Sequence, residues 1–271
     1  MYALVEVRNF GDDTVCIPPL DLDLSWLHID VAWNDSSLGD GLLMSNDVAW
    51  SPGYRGLPLA PHGRRLEPVL LSLRWSGGPT LSQRFRLGVF PPGQYALVAR
   101  YHPWMDLDGK RTAGSDAWSA PVAFRVTQRD SEESRDFAAW GTLVARPPDQ
   151  WPAAVTDSLM AVLGGRVARD SADPVAIALA EPLVAVAHVA EGSSRYDATA
   201  NAWFSAAARA APNSPIGAWA AREYAGWMWA RDRNTVTRLA ASLEGTVAGD
   251  LLRQAPTLSD RAVPSRCSPR R

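Results

Sequence analysis

Four histidines are the first residues to test for chemistry: His28, His62, His102 and His188. Imidazole is the side chain that exchanges a proton near neutral pH and a common metal ligand. No two of the four stand at helical spacing, so no helical metal pair exists. His188 falls in Ala185-Val186-Ala187-His188-Val189-Ala190, an apolar helical run, where a hydrogen-bonded structural role fits. His102, in Tyr101-His102-Pro103-Trp104, stands at a strand end and is the better placed to meet a ligand. Serine nucleophiles need a strained turn such as Gly-x-Ser-x-Gly, and the chain has none. It also lacks the glycine loops that cradle phosphates. Asp106-Leu107-Asp108-Gly109 opens like a calcium loop, but its twelfth position is Ala117, which cannot ligate. An Asp-Gly turn between strands accounts for it. The residues therefore name no catalytic group, no metal and no cofactor.

Tryptophan is the more suggestive side chain, with 12 in the chain. An exposed indole can anchor a partner or stack on a sugar ring. Trp50 and Trp104 fall in loops and are the expected surface anchors, with His102 beside the second. Trp26 or Trp33, Trp75 and Trp118 suit a β core. Trp219, Arg222, Glu223 and Trp227 follow helical spacing and can share one stripe. That stripe is either helix-to-helix core or a groove for a peptide, with Trp219 and Trp227 as its contacts.

The elements that must position these residues change character along the chain. Leu4–Phe10, Thr14–Ile17, Trp26–Trp33 and Leu66–Trp75 read as strands. In the third, Leu27, Ile29 and Val31 share one face; Trp26, His28, Asp30 and Ala32 share the other. Phe85–Phe90, the turn Pro91-Pro92-Gly93, Gln94–Tyr101 and Pro121–Val126 then read as strand, turn, strand and closing strand. Residues 34–63 are rich in Gly and Pro and predict a long flap or recognition loop. The fold expected over 1–128 is an all-β immunoglobulin-like sandwich.

After Arg129 the pattern is helical. Asp130-Ser131-Glu132-Glu133-Ser134 is a helix start, and Phe137, Trp140 and Val144 follow at helical spacing. Further helices are predicted over 151–164, 173–190, 197–210, 215–230 and 234–244, rich in alanine. Gly164-Gly165, Gly192-Ser193-Ser194 and Pro212-Asn213-Ser214-Pro215 are the predicted breaks. Short breaks imply helical hairpins or a bundle over 131–255. Residues 256–271, with three prolines and four arginines, predict a disordered basic tail.

Composition narrows the partners. Apolar residues are 46% and charged residues 21%, which fits a globular chain. A net charge of -2 argues against general nucleic-acid binding. Lys110 is the single lysine, and with so much alanine this points to a GC-rich genome. Cys16 and Cys267 stand at opposite ends and make no disulfide framework. No apolar run is long enough to span a membrane. The first residues lack a basic leader, so the chain as written predicts a cytoplasmic protein, or an exported one if a leader precedes it.

Two stretches resemble known families. Leu59-Ala60-Pro61-His62-Gly63, then Pro91-Pro92-Gly93-Gln94-Tyr95 and the closing Trp118–Val126, resemble bacterial immunoglobulin-like or fibronectin-like accessory domains. His62 stands where those domains usually have glycine. Trp203-Phe204, Ala206–Ala208, Pro212-Asn213-Ser214-Pro215 and Ala218, Ala220, Ala221 and Ala225 resemble tetratricopeptide-like helical hairpins. Together these imply a non-enzymatic accessory or interaction protein whose partner is another protein. The alternatives are a carbohydrate-binding module using Trp50 and Trp104, and an enzyme of unrecognised type with a site between the domains near His102 and Asp106.

Overall fold

A computed structural model describes residues 2–17, 27–33, 36–37, 57–70, 92–101, 117–127, 152–189 and 194–259. The described strands are β1 (Tyr2–Arg8), β2 (Val15–Ile17), β3 (Leu27–Trp33), β4 (Ser36–Ser37), β5 (Leu57–Leu59), β6 (Arg64–Leu70), β7 (Gly93–Tyr101), β8 (Ala117–Trp118) and β9 (Val122–Val126). The described helices are α1 (Ala153–Arg169), α2 (Pro174–Val189), α3 (Ser194–Ala210), α4 (Pro215–Met228), α5 (Arg233–Ser242) and α6 (Val247–Ser259). The helix expected around Phe137, the hairpin strand Phe85–Phe90, the end of the strand expected over Leu66–Trp75, most of the stretch 34–63 expected as a flap and the loop expected over 106–116 lie outside the described residues.

The immunoglobulin-like sandwich is not what the strands make. They form β1–β6, β2–β5 and a five-stranded sheet ordered β4-β3-β7-β8, with β9 also on β7. Two of these sheets have two strands each, so no closed sandwich exists among the described residues. Alternation and turn chemistry predict local strands, and β1, β2, β3, β6, β7 and β9 overlap the expected stretches. They do not specify which sheet a strand joins, and strands of two or three residues such as β2, β4, β5 and β8 are too short to frame a sandwich face.

The chain divides into two units. One comprises Met1–Leu4, Pro68–Leu70 and Ser131–Val263; the other comprises Val5–Glu67, Leu71–Asp130 and Pro264–Arg271. The unit that holds the helices also takes the ends of β1 and β6, so it is not all-α.

In the second unit β7 is central. On one side it pairs antiparallel with β3, from Leu27 opposite Tyr101 to Trp33 opposite Tyr95. On the other it pairs with β9 and then β8. Residues directly opposite share a face. Thus Tyr95, Leu97, Ala99 and Tyr101 align with the apolar positions Trp33, Val31, Ile29 and Leu27. Tyr95 stacks on Phe124 at 5.1 Å between centroids and is buried, fixing β9 to β7.

Two turns of this unit are tied by Asn9, which is buried. Its Nδ2 donates to the carbonyls of Asp13 (2.7 Å), Ala60 (3.0 Å) and Leu59 (3.2 Å), and its Oδ1 accepts from the Gly11 amide at 3.0 Å. His62 has φ 55°, the left-handed region that favours glycine. Gly63 cannot carry a side chain, because a Cβ would lie 2.8 Å from the Ala60 carbonyl oxygen.

In the helical unit α2 packs on α3, α3 on α4, and α4 and α5 on α6. Buried alanines, among them Ala207, Ala208, Ala218, Ala221 and Ala225, let the backbones approach closely. The expected break at Gly164-Gly165 does not occur, and α1 runs through both to Arg169. A helical glycine costs only about 1 kcal/mol. Buried Leu159 and Leu163, and the pairing of Arg166 with Asp173 at 3.1 Å, hold the last turns. Helix α6 passes Pro256 to Ser259, and residues 260–271 lie outside the described residues.

The turn into α4 recurs before α6, 32 positions later. Ser214 Oγ donates to the Ala211 carbonyl (2.9 Å) and accepts from the Gly217 amide (3.2 Å). Thr246 Oγ1 does the same between Leu243 (2.7 Å) and Gly249 (3.1 Å). A Cβ on Gly217 or Gly249 would stand 2.0 Å from the carbonyl oxygen of Ala211 or Leu243. Only glycine therefore fits either position. The two turns also join, since the Val247 amide donates to Asn213 Oδ1 and the Ala248 amide to the Pro212 carbonyl.

Candidate functional site

Of the residues expected to bind, Trp50, Trp104 and His102 lie outside the described residues. Trp219 and Trp227 lie on α4, where Trp227 is half-buried and Trp219 is 1% exposed. Trp219 is core.

Its surroundings are nevertheless rich in charge. Arg222 lies over its ring at 5.7 Å and pairs with buried Glu223 at 3.1 Å. Tyr2, from the start of β1, sets its ring 6.3 Å from that of Trp219, and its hydroxyl donates to the Pro174 carbonyl at 2.7 Å. Asp173, next to Pro174, caps α2 by accepting from the amides of Val175 and Ala176, and it holds Arg166. Burial raises the Tyr2 phenol well above its ordinary value, and Asp173, Glu181 and Glu223 push the same way. A phenol held neutral is a hydrogen-bond donor, not a nucleophile. This cluster secures the strand end to the helices. Within it Asp173 pairs with Arg166 and Glu223 with Arg222.

The second unit holds a smaller buried set on β6 and β7. Arg65 and Glu67 are both buried, with Tyr101 near them. Burial lowers the Arg65 guanidinium, while Glu67 and Tyr101 act against that shift.

The open feature is on the edge of the five-stranded sheet, at a residue expected in the core. Trp118 is 58% exposed, and Arg100 lies over its ring at 5.3 Å. The cause is a β-bulge. From Gly93 opposite Val126 to Leu97 opposite Val122 the register is continuous; beyond it Arg100 is opposite Trp118 and Tyr101 opposite Ala117. Two residues of β7, Val98 and Ala99, therefore face three, Ser119, Ala120 and Pro121. One extra residue reverses the faces. Simple alternation puts Trp118 with Val122 and Phe124. The bulge turns it to the Arg100 side instead. Ser119 preserves the ladder across the gap. Its amide donates to the Ala99 carbonyl, and its Oγ accepts from the Ala99 amide, both at 2.9 Å.

Beyond the bulge Val122 is 60% exposed, and Ala123 and Arg125 are also exposed. The site is thus an indole backed by a guanidinium, followed by exposed Val122, Ala123 and Arg125. It offers stacking, apolar contact and positive charge. Sequence reasoning missed it because Pro121 and Ser119 look like loop residues rather than a bulge.

Among the described residues no three His, Cys, Asp or Glu side chains gather to hold a metal. No helix among them is long and apolar enough to cross a membrane. No protein-family model, curated protein or solved structure matches the chain.

Proposed function

We propose that this chain is a non-enzymatic interaction protein, and that it engages another protein through the β7–β8–β9 side of its five-stranded sheet. The observation that carries this reading is Trp118, a large aromatic side chain held open on a bulged edge by a packed arginine. Burying such an indole at an interface is worth far more than its contacts in the free protein, and interface anchors are enriched in Trp and Arg. The repeated turn before α4 and α6 supports a second element of the reading, a tetratricopeptide-like pairing of helices that serves as scaffold.

The test is capture from native host lysate with the full chain and with Trp118→Ala, read by quantitative mass spectrometry. The reading expects a protein enriched by the wild type and lost with Trp118→Ala, while the variant keeps the wild-type circular dichroism. Equal capture by both removes Trp118 from the interface. Displacement of Trp118 contacts by simple sugars, with no protein captured, supports carbohydrate binding instead.

A further inference from the structure

We propose that the helical unit carries a phosphate site: the Tyr224 hydroxyl of α4 and the guanidiniums of Arg209 on α3 and Arg238 on α5 together bind the oxygens of a phosphate group. The site uses no residue of the five-stranded sheet.

Helix α4 packs against both α3 and α5, and every residue from 196 to 255 is described. Tyr224 is 6% exposed, yet its hydroxyl makes no hydrogen bond among the described residues. A buried tyrosine ordinarily finds a partner for its O–H. Burial raises this phenol above its ordinary value, so it stays neutral and can donate. Arg209 and Arg238 lie close enough for their charges to act against that rise, while Asp232 adds to it. Both arginines are exposed, and each is steadied on its own helix by one hydroxyl. Arg209 Nη1 donates to Ser205 Oγ at 3.2 Å, and Arg238 Nη2 donates to Thr235 Oγ1 at 2.9 Å. Among the described residues neither guanidinium pairs with a carboxylate.

Charge and donor count select the ligand. The nearby acid, Asp232, is the N-cap of α5; its carboxylate accepts from the Thr235 amide at 3.0 Å and from the Thr235 hydroxyl. The positive end of the helix dipole offsets a charge placed there. Two guanidinium charges and one O–H donor are left over. A phosphate monoester brings about two negative charges at neutral pH and three strong acceptor oxygens. Arginine forks match phosphate geometry, and hydrogen bonds between ions are the strong ones. A carboxylate brings half that charge and leaves one of the three groups unmet.

The probe is inorganic phosphate, titrated into the full chain by calorimetry at constant ionic strength. Phenyl phosphate and acetate are titrated in parallel. The proposal expects saturable phosphate binding with a Kd below about 1 mM. Arg209→Gln and Arg238→Gln should each weaken it about tenfold. Tyr224→Phe, which keeps the ring and removes the donor, should weaken it about threefold. All three variants should keep the wild-type circular dichroism. Arg253→Gln alters an exposed arginine that pairs with Asp250, and it should bind phosphate as the wild type does. Phenyl phosphate binding at least as tightly as phosphate supports the site and assigns it to a monoester; weaker binding supports it and assigns free phosphate. A phosphate Kd above about 1 mM overturns the proposal. So does acetate binding as tightly as phosphate, or an unchanged affinity in Arg209→Gln and Arg238→Gln. An equal loss in Arg253→Gln means general charge attraction and also overturns it.

Discussion

Trp118 and Trp219 present the same pair chemistry with opposite outcomes. Each has a guanidinium over its ring, Arg100 at 5.3 Å and Arg222 at 5.7 Å. Trp219 is sealed by Tyr2 and its helical neighbours, while Trp118 is mostly exposed. Around Trp219 the charges are matched, with Arg222 on Glu223 and Arg166 on Asp173. Along β7–β9 the charges have one sign. An arginine–tryptophan pair is therefore not a functional marker by itself. What covers the ring and what balances the charge decide whether it stabilises the fold or faces a partner.

The comparison breaks most visibly under alanine substitution. Trp219→Ala should lower stability by about 3–5 kcal/mol, because it empties a filled core position. Trp118→Ala should cost under about 1 kcal/mol, because its ring is in water. Urea unfolding followed at the helical circular dichroism band and by hydrogen exchange of the sheet checks both. Similar losses for the two would erase the distinction.

The next largest effect is expected at the two turns that Asn9 ties together. Asn9→Ala leaves several carbonyls without their donor and should destabilise the second unit by about 2 kcal/mol. Sheet amides should exchange faster in that variant, with helical amides little changed.

A smaller change sharpens the role of the bulge. Ser119→Ala removes the acceptor for the Ala99 amide and should cost about 1 kcal/mol. It should also weaken partner capture, because Trp118 loses its fixed aim. Loss of stability without loss of capture would separate the bulge from the site.

The smallest difference at neutral pH is expected for Tyr2→Phe, and it grows with alkali. The folded state raises the Tyr2 phenol above its unfolded value near 10. The stability linked to it is therefore complete below pH 10 and is lost as pH rises toward the folded value. Unfolding curves should show the wild type losing stability above pH 10 faster than Tyr2→Phe. Parallel curves would mean that the phenol is not held neutral by the helices.

Much of this molecule was legible in sequence, for reasons that also mark where legibility ends. Dense alanine with Pro and Gly breaks located five of the described helices, since propensity and stop signals are local. The continuation through Gly164-Gly165 was not legible, because the compensating contact, Arg166 with Asp173, lies beyond the apparent break. Helix α6 was hidden by Pro256 and by a start whose glycine is explained only by a close carbonyl at Leu243. The alternation of Leu27, Ile29 and Val31 corresponds to register positions opposite Tyr101, Ala99 and Leu97. Sheet membership was not legible, because pairing partners are set by distant residues. Trp118 was misplaced for a single reason: one inserted residue in Ser119-Ala120-Pro121 reverses a period of two.

The most direct test is hydroxyl-radical footprinting of the full chain, alone and with the captured partner, read at individual tryptophans. The account predicts rapid oxidation of Trp118 and slow oxidation of Trp219 in the free protein. It predicts that the partner protects Trp118 strongly and leaves Trp219 unchanged. A Trp118 that stays equally reactive while the partner is bound would contradict the claim that this open tryptophan is the anchor.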